Sequence, residues 1–565
     1  MSDATSRRTV FFRALTGELP RLGTAGSRSA SLHQPGSGDP DLRRPVPGTA
    51  ALPLRFALLR LLGTVGALML SFGALGAGAL PVTDNVYRTF PGGSIMQRML
   101  QTSSTVALTG VALIVVSWVL MAPYVGASVL HERKRQVRVH TGQLYRTFIV
   151  WMTPIALSAP MFTQDIYSYL AQGAITARGL DPYSAGPVDL LGSGNPLARS
   201  VPLIWSHSPS PYGPVASGIS ALIYQVAGES VFVGVYLHRL VAVLGITAAG
   251  WALSRLASRC GVSVQAALWL GLLNPLTMLH LVGGIHNESV LLGLLLVGME
   301  VGLRGVDGLL AAAPSARTAG WVLLVLSAVL ISGGGMVKIT GFTALGFTGM
   351  AVARALSSRG WHPVLSVFFS GVFQATIMVA SVAVLTAATG IGLGWVSGQG
   401  GAVAVRSWMS ATTALGVIAG GIGMLAGLGD QTAAMLTVTR GVGVAVAGAF
   451  MLRMLIGVYR GTIHPVGGLG ISTFVLVLLF PVVQPWYMLW AIMPLAAWAN
   501  RPLFRVSATA YSAVVCFFVL PRGLPLPPGT VAGIYLSTAL STIAVMALLW
   551  WVVRRWRPRV IDWPS

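Results

Sequence analysis

The carboxylate of Asp165 is the group in this sequence best suited to do chemistry. It lies in Thr163-Gln-Asp-Ile-Tyr167, directly after an apolar segment, in a chain in which only 15 of 565 residues are Asp or Glu. Charged side chains close to hydrocarbon are costly and are kept where they have a partner or a function. A carboxylate there, at the start of a long polar stretch, is suited to take a proton from a substrate hydroxyl as a general base.

Other polar and aromatic side chains stand at the ends of apolar segments elsewhere in the chain. Counting membrane crossings predicts that they lie on the same side as Asp165, and leaves the side open only for Arg406, which falls between residues 391 and 431. We therefore predict that they bind substrate, and the set is Gln164, Tyr167, Tyr169, Tyr212, His286, Asn287, Glu288, Lys338, Arg406, Gln484, Trp486 and Tyr487. Aromatic faces suit pyranose rings, and a lysine or arginine suits a phosphodiester, so this set favours a site for a sugar and a phosphate.

Several of these residues also have a purely structural interpretation. Trp486 and Tyr487 could belong to the aromatic belt that membrane proteins place at the interface. Lys338 could extend its ammonium to the lipid headgroups. Tyr212, in Pro211-Tyr-Gly-Pro214, could serve only to form a turn. The three consecutive polar residues from His286 to Glu288, between two apolar helices, are harder to explain in this way.

The elements that must position these residues are membrane-spanning helices. Hydrophobic residues make up 54% of the chain and the mean hydropathy is +0.74. Apolar runs recur from Leu54 to Val553, and about 20 such residues cross the hydrocarbon core. The sequence therefore predicts an all-α fold, a polytopic transmembrane bundle of about 14 spans over residues 51–560. Residues 1–50 are polar and predict a disordered, basic cytoplasmic tail.

Charge distribution predicts which side of the plasma membrane each loop occupies. The net charge is +22, but the arginines lie in short loops beside apolar segments, which is typical of cytoplasmic loops and argues against binding nucleic acid. The segment His131–Arg138 is the most basic loop and is predicted to be cytoplasmic. The third span, about 145–160, then brings Asp165 to the extracytoplasmic side.

Residues 161–230 are predicted to form an external loop that includes a juxtamembrane helix at about 212–227, followed by a crossing from Val231 to about Ala257. Counts from the two termini disagree by one crossing between Ile391 and Gln431. We therefore expect one segment there to enter and leave on the same side, as is possible when it lines a cavity.

Seven short segments carry a family resemblance. The chain resembles the polyprenol-phosphomannose-dependent α-1,6-mannosyltransferases of actinobacteria, members of the GT-C superfamily, and among them the B-type enzymes of the lipomannan pathway. The segments are Asp165–Gln172, Gly179–Tyr183, Pro211–Pro214, Gly284–Glu288, Val405–Ser410, His464–Gly470 and Phe480–Tyr487.

The resemblance implies a GT-C fold with an essential acid in an external loop. It implies polyprenyl-phosphate-mannose as the donor and an α-1,6-mannan or phosphatidylinositol mannoside as the acceptor, both held at membrane lipids. A β-linked donor that gives an α-linked product inverts the anomeric centre, with Asp165 as the base. Some GT-C enzymes have a pair of acids in this loop; here Gln164 precedes Asp165, so we expect no cofactor and no required metal.

Two other functions are compatible with a polytopic chain. A glycolipid flippase or transporter would place polar residues near the bilayer midplane between internal repeats, and the sequence shows no convincing repeat. A membrane acyltransferase would need a histidine paired with a second catalytic residue, for which His286 alone is weak support.

Overall fold

The computed structural model describes residues 51–127, 139–397 and 406–556. The predicted tail 1–50, the basic segment His131–Arg138 and the arginines at 557 and 559 lie outside the described residues. Within the described ranges the secondary structure is helical, with no strand. The predicted all-α class is confirmed.

The first half of the described chain contains eleven α-helices. They are α1 Ala51–Ala77, α2 Gly93–Arg98, α3 Leu100–Met121, α4 Thr141–Ala156, α5 Asp165–Ala177, α6 Pro187–Leu191, α7 Pro196–Ser200, α8 Leu203–Ser206, α9 Pro214–Ala227, α10 Val231–Arg259 and α11 Val264–Leu270. A π-helical turn, Thr277–Gly283, follows α11. Such turns are frequent at functional sites.

The second half contains eleven more helices. They are α12 Glu288–Leu310, α13 Pro314–Gly335, α14 Thr343–Ser358, α15 Pro363–Thr389, α16 Gly394–Ser397, α17 Ala411–Leu425, α18 Thr432–Arg460, α19 Pro465–Leu479, α20 Leu489–Trp498, α21 Pro502–Val515 and α22 Pro528–Trp556. Short 3₁₀ turns at Ile339–Phe342 and Pro485–Met488 precede α14 and α20.

Nine helices in the described ranges are long and apolar enough to cross a membrane. They include Leu54–Ala77, Leu100–Tyr124 and Val231–Arg259, which correspond to predicted crossings. The helix Pro214–Ala227 is shorter than these and packs on α5. The chain is therefore a polytopic membrane protein. The count of about 14 spans stays a prediction.

The region between Ile391 and Gln431 is only partly described. It contains α17, a helix of 15 residues that packs against α18, while residues 398–405 are outside the described ranges. Whether a segment here enters and leaves on one side therefore stays a prediction.

Glycines allow the long helices to approach closely. A Cβ on Gly66 would lie 2.7 Å from the carbonyl oxygen of Gly110, where α1 meets α3. A Cβ on Gly293 would lie 2.6 Å from the carbonyl oxygen of Gly245, where α12 meets α10. Small residues at such crossings are the usual means of packing helices in lipid. The second crossing fixes α12, whose first residue is Glu288.

A buried arginine on α10 ties together the two chain segments that lead to the site. Arg239 is 1% exposed. Its guanidinium donates to the carbonyl oxygens of Ala156 at 3.1 Å, Ser158 at 2.5 Å and Gly283 at 3.4 Å. Ser158 lies shortly before Asp165, and Gly283 lies shortly before His286. These bonds hold both segments against the same helix.

Candidate active site

A cavity of about 350 Å³ opens where several helix ends meet the segment after α7. Nine of the predicted site residues line it, namely Asp165, Tyr169, Tyr212, His286, Glu288, Lys338, Gln484, Trp486 and Tyr487. They come from five separate parts of the chain, so the cavity exists only in the folded protein.

Asp165 stands at the first position of α5, where the helix dipole favours a negative charge. Its backbone N–H donates to the side-chain oxygen of Thr163 at 3.1 Å. The chain reaches this position through Phe162, which has a φ of +68°. A left-handed conformation in a bulky residue is strained and persists when its surroundings hold it; here the Phe162 N–H donates to the Pro521 carbonyl at 2.6 Å.

The two oxygens of the Asp165 carboxylate face different neighbours. Oδ1 accepts a hydrogen bond from the indole N–H of Trp205 at 3.1 Å. Oδ2 lies 3.8 Å from Nδ1 of His286. The side chain is 26% exposed, which leaves Oδ2 accessible to a hydroxyl in the cavity.

His286 is buried and held by aromatic stacking. The centre of its ring lies 3.8 Å from that of Trp486. The ring of His280 also stacks on Trp486, at 4.9 Å between centres. The preceding residue, Ile285, has a φ of +57°, so strained backbone precedes both His286 and Asp165. Nε2 of His286 has no hydrogen-bond partner among the described residues. Trp486 is 6% exposed, which does not fit an interface-belt residue.

Burial lowers the pKa of His286, although the negative charges of Glu288 and Asp165 oppose this shift. The imidazole is therefore neutral at neutral pH and has one nitrogen that accepts and one that donates.

Lys338 is directed into the cavity rather than toward lipid headgroups. Its Nζ donates to Oε1 of Glu288 at 2.8 Å and to the hydroxyl of Tyr487 at 2.7 Å, and lies 4.0 Å from the centre of the Tyr487 ring. Burial disfavours its charge, but Glu288 outweighs this and the pKa of Lys338 is raised. An ammonium has three donors, so one remains for a substrate oxygen.

The loop that carries Tyr212 packs closely against the segment that precedes Lys338. The hydroxyl groups of Tyr169 and Tyr212 are 3.2 Å apart. A Cβ on the next residue, Gly213, would lie 2.3 Å from the carbonyl oxygen of Met336. The glycine thus permits the contact that closes this wall of the cavity, and the segment does more than form a turn.

Four predicted substrate-binding residues do not line the cavity. Tyr167 is buried, and its hydroxyl donates to the carbonyl of Ala79 at 2.5 Å. Gln164 caps α5, and its carbonyl accepts from the Tyr167 N–H at 3.1 Å. Asn287 lines a separate, smaller cavity on the other side of His286. Arg406 is exposed and is not part of the wall.

Several residues of the wall were not anticipated from the sequence. They are Ser168, Gln172, Trp205, Ser208, Pro209, Pro211, Ile339, Thr340, Val444, Phe480, Pro481 and Val482. The wall has apolar members, among them Val444 and Phe480, as well as the charged groups of Asp165 and Lys338. Trp205 is the only tryptophan of the predicted external loop, which was the one available signal for it.

Within the three described ranges, no group of three or more His, Cys, Asp or Glu is arranged to hold a metal ion. The cavity offers carboxylates, an imidazole, an ammonium and aromatic rings. Chemically, this set can bind a sugar, remove a proton from a hydroxyl and offset the charge of a phosphate.

Two family profiles match the chain. Residues 60–354 match the alpha-(1->6)-mannopyranosyltransferase N-terminal domain, and residues 412–550 match the MptB C-terminal domain. The first of these ranges includes Asp165, His286 and Lys338.

Curated relatives match nearly the whole chain. It is 55% identical to alpha-(1->6)-mannopyranosyltransferase B of Corynebacterium glutamicum, over 98% of this chain and 95% of the relative. It is 41% identical to a probable alpha-(1->6)-mannopyranosyltransferase of Mycolicibacterium smegmatis, over 88% and 89%. It is 30% identical to alpha-(1->6)-mannopyranosyltransferase A of Mycobacterium tuberculosis, over 81% and 83%. No solved structure matches.

Proposed function

Since the chain belongs to the alpha-(1->6)-mannopyranosyltransferase family, we propose that it moves mannose from polyprenyl-phosphate-mannose to an α-1,6-mannan or phosphatidylinositol mannoside acceptor in lipomannan synthesis. The observation that carries this proposal is the cavity in which a carboxylate, a half-buried lysine and stacked aromatic rings meet beside apolar side chains. A lipid-linked sugar phosphate has the matching parts: a pyranose, an anion and a long apolar chain.

The reaction is a single displacement with inversion. The acceptor 6-hydroxyl oxygen forms a bond to the anomeric carbon while the bond from that carbon to the phosphate oxygen breaks. The electron pair of the broken bond leaves with the polyprenyl phosphate, and the hydroxyl proton goes to Asp165. Oδ2 is the accepting oxygen, because Oδ1 is already bonded to Trp205. A positioned base of this kind contributes about 10²- to 10⁴-fold.

The departing phosphate gains negative charge, and two groups in the cavity can offset it. Lys338 has one donor left after Glu288 and Tyr487. Once Asp165 has taken the hydroxyl proton, it can donate to Nδ1 of His286, and the unpaired Nε2 can then donate to a phosphate oxygen. Donors fixed before the charge forms stabilise a transition state well, because they need no reorganisation. The proposal assigns no metal, since Gln164 stands where a second carboxylate would be needed.

A transfer assay tests the proposed function. Membranes that contain the protein are incubated with mannosyl-labelled polyprenyl-phosphate-mannose and a short α-1,6-mannoside, and membranes without it serve as the control. We expect label in a lengthened mannoside with an α-1,6 linkage. Donor that crosses the bilayer without transfer would instead indicate a flippase.

The proposal also places the cavity on the extracytoplasmic side of the plasma membrane. Ser193 and Ser315 are both exposed, and the charge distribution puts them on opposite sides. Ser193→Cys should react with a membrane-impermeant thiol reagent in intact spheroplasts, and Ser315→Cys should react only after the membrane is opened. The unsubstituted protein, with Cys260 and Cys516, gives the background. The reverse pattern would contradict the proposed orientation.

A further inference from the structure

The external loop brings one aromatic side chain directly to the carboxylate of the site. Trp205 lies on the short helix α8 and lines the cavity. Its indole N–H donates to Oδ1 of Asp165 at 3.1 Å. The indole packs against an apolar cluster that includes Ile166 and Tyr169, yet it remains partly exposed. Its unburied surface therefore faces the space next to Asp165.

The position of Trp205 is fixed by contacts within the loop. The residue two positions later, His207, lies 2.8 Å from the carboxylate of Asp189 (Nδ1 to Oδ1). A Cβ on Gly186 would lie 2.3 Å from the backbone of His207, so a glycine is needed for this approach. The backbone N–H of Trp205 also donates to the carbonyl oxygen of Pro202 at 2.8 Å. The indole is thus held at the rim before any substrate arrives.

A series of contacts crosses the cavity from Trp205 to the lysine. Trp205 contacts Asp165, Asp165 faces His286 at 3.8 Å, and two residues after His286 stands Glu288, which is paired to Lys338. Asp165 therefore lies between the loop side, with Trp205, and the helix-end side, with Lys338. The lysine side has the cation for a phosphate, and Trp205 has no charge to offer one.

We propose that the indole of Trp205 is the platform on which the terminal mannose of the acceptor stacks, so that its 6-hydroxyl reaches Asp165. This rests on the proposed function, because it assumes a phosphate-bearing donor on the lysine side. The acceptor must place its reacting hydroxyl within hydrogen-bond reach of the base. A sugar ring attached to that hydroxyl necessarily lies within a few ångströms of the residue bonded to the same carboxylate. The apolar face of a pyranose suits stacking on the indole ring of Trp205.

Two substitutions separate the platform from a role in orienting Asp165. Trp205→Phe keeps an aromatic face but removes the N–H donor. Trp205→Leu keeps apolar bulk for the loop packing but removes both the face and the donor. The probe is a synthetic octyl α-1,6-dimannoside, and kcat and KM are measured for it and for the donor with the full-length protein in membranes. Trp361→Ala, at an exposed tryptophan outside the cavity, is the matched control.

We expect Trp205→Phe to lower kcat while the KM for the dimannoside changes less than about twofold. Trp205→Leu should raise the KM for the dimannoside about tenfold, which corresponds to about 1.4 kcal/mol, with the donor KM unchanged. The proposal is overturned if both variants lower kcat with an unchanged dimannoside KM, or if the donor KM rises instead. Failure of the proposed function is distinct, because the unsubstituted protein would then transfer no mannose at all.

If Trp205→Leu does not accumulate, a second measurement decides. A 6-deoxy dimannoside cannot react and should inhibit by competition with the dimannoside. Its inhibition constant should be the same within about twofold in Trp205→Phe and in the unsubstituted protein. A rise of tenfold or more in Trp205→Phe would show that the N–H, and not the ring face, governs acceptor binding, and would overturn the platform.

Discussion

The helix Glu288–Leu310 carries two buried carboxylates that are paired in different ways. Glu288 and Glu300 are each 3% exposed. Both oxygens of Glu300 accept from arginines, Oε1 from Arg304 at 2.7 Å and Oε2 from Arg259 at 3.3 Å. At Glu288, Oε1 accepts from Lys338, whereas Oε2 is buried without a partner among the described residues.

The difference separates a structural ion-pair network from a binding site. A buried polar atom without a partner costs about 1–3 kcal/mol, so a substrate group that bonds Oε2 of Glu288 would offset that cost. Further such atoms near Glu288 include Nε2 of His286 and Nε1 of Trp486. Around Glu300 the pairing extends outward instead, from Arg259 to the exposed Asp307 at 2.6 Å. Incomplete pairing, more than charge itself, distinguishes Glu288 at the cavity from Glu300 further along the same helix.

The largest effect is expected from the carboxylate that our mechanism assigns to proton transfer. Asp165→Asn keeps the shape of the side chain and its bond from Trp205 but removes the base. We expect transfer to fall about 10²- to 10⁴-fold, with normal accumulation in membranes, measured as mannose incorporated per amount of protein. Asp84→Asn is the control, because Asp84 is exposed and its φ of +50° suits asparagine. Normal transfer by the Asp165 variant would remove it as the base.

A substitution at the fully paired Glu300 should lower the stability of the protein and leave catalysis unchanged. Glu300→Gln leaves Arg259 and Arg304 without their shared carboxylate. We expect a loss of about 1–3 kcal/mol in the free energy of unfolding, at the lower end because Arg304 is 43% exposed and partly solvated. Thermal unfolding in detergent measures it, and both KM values should stay within about twofold.

Glu229→Gln serves as the control for that measurement. Glu229 pairs with Arg178 at 3.0 Å, but the two side chains are 48% and 39% exposed. Exposed pairs contribute about 0–1 kcal/mol, so this change should be smaller. Equal losses of unfolding free energy in Glu300→Gln and Glu229→Gln, or a large change in donor KM for Glu300→Gln, would contradict a purely structural role for Glu300.

The sequence was sufficient for the fold class and for part of the site. Long apolar runs and sparse carboxylates predict membrane helices directly, because hydrocarbon excludes charge. The convergence of Asp165, His286, Lys338 and Tyr487 followed from counting crossings, which assigns helix ends to a side. The resemblance added the donor, the acceptor and the inversion, which remain proposals.

The difference between the predicted set and the cavity wall has a physical cause in helix geometry and in the loop. Asp165 begins a helix, and residues three, four and seven positions later share its face. Ser168, Tyr169 and Gln172 therefore line the cavity. Tyr167, two positions on, points to Ala79. The sequence pattern does not mark Asp165 as a helix start, so it does not separate Tyr167 from Tyr169. Trp205 is 40 residues away along a loop whose path depends on contacts such as Asp189 with His207.

The last effect is expected at Lys338, which pairs with the incompletely bonded Glu288. Lys338→Met keeps length and apolar bulk but removes the charge. If the third donor of Lys338 binds the lipid phosphate, the KM for polyprenyl-phosphate-mannose should rise about tenfold, for about 1.4 kcal/mol of lost pairing. The KM for the acceptor should stay within about twofold. Both are measured in the transfer assay with one substrate varied.

The single substitution also leaves the buried carboxylate of Glu288 without its counter-charge, which costs stability by itself. The double variant Glu288→Gln/Lys338→Met removes both charges and isolates the effect on the donor. Its donor KM should remain about tenfold raised, whereas Glu288→Gln alone should leave it unchanged or lower it, because a negative charge beside the phosphate is gone. If the double variant regains the normal donor KM, Lys338 serves only to neutralise Glu288. Since Arg406 does not line the cavity, His286 would then be the remaining group proposed to bind the phosphate, and the unpaired Oε2 of Glu288 would need a partner other than the donor complex.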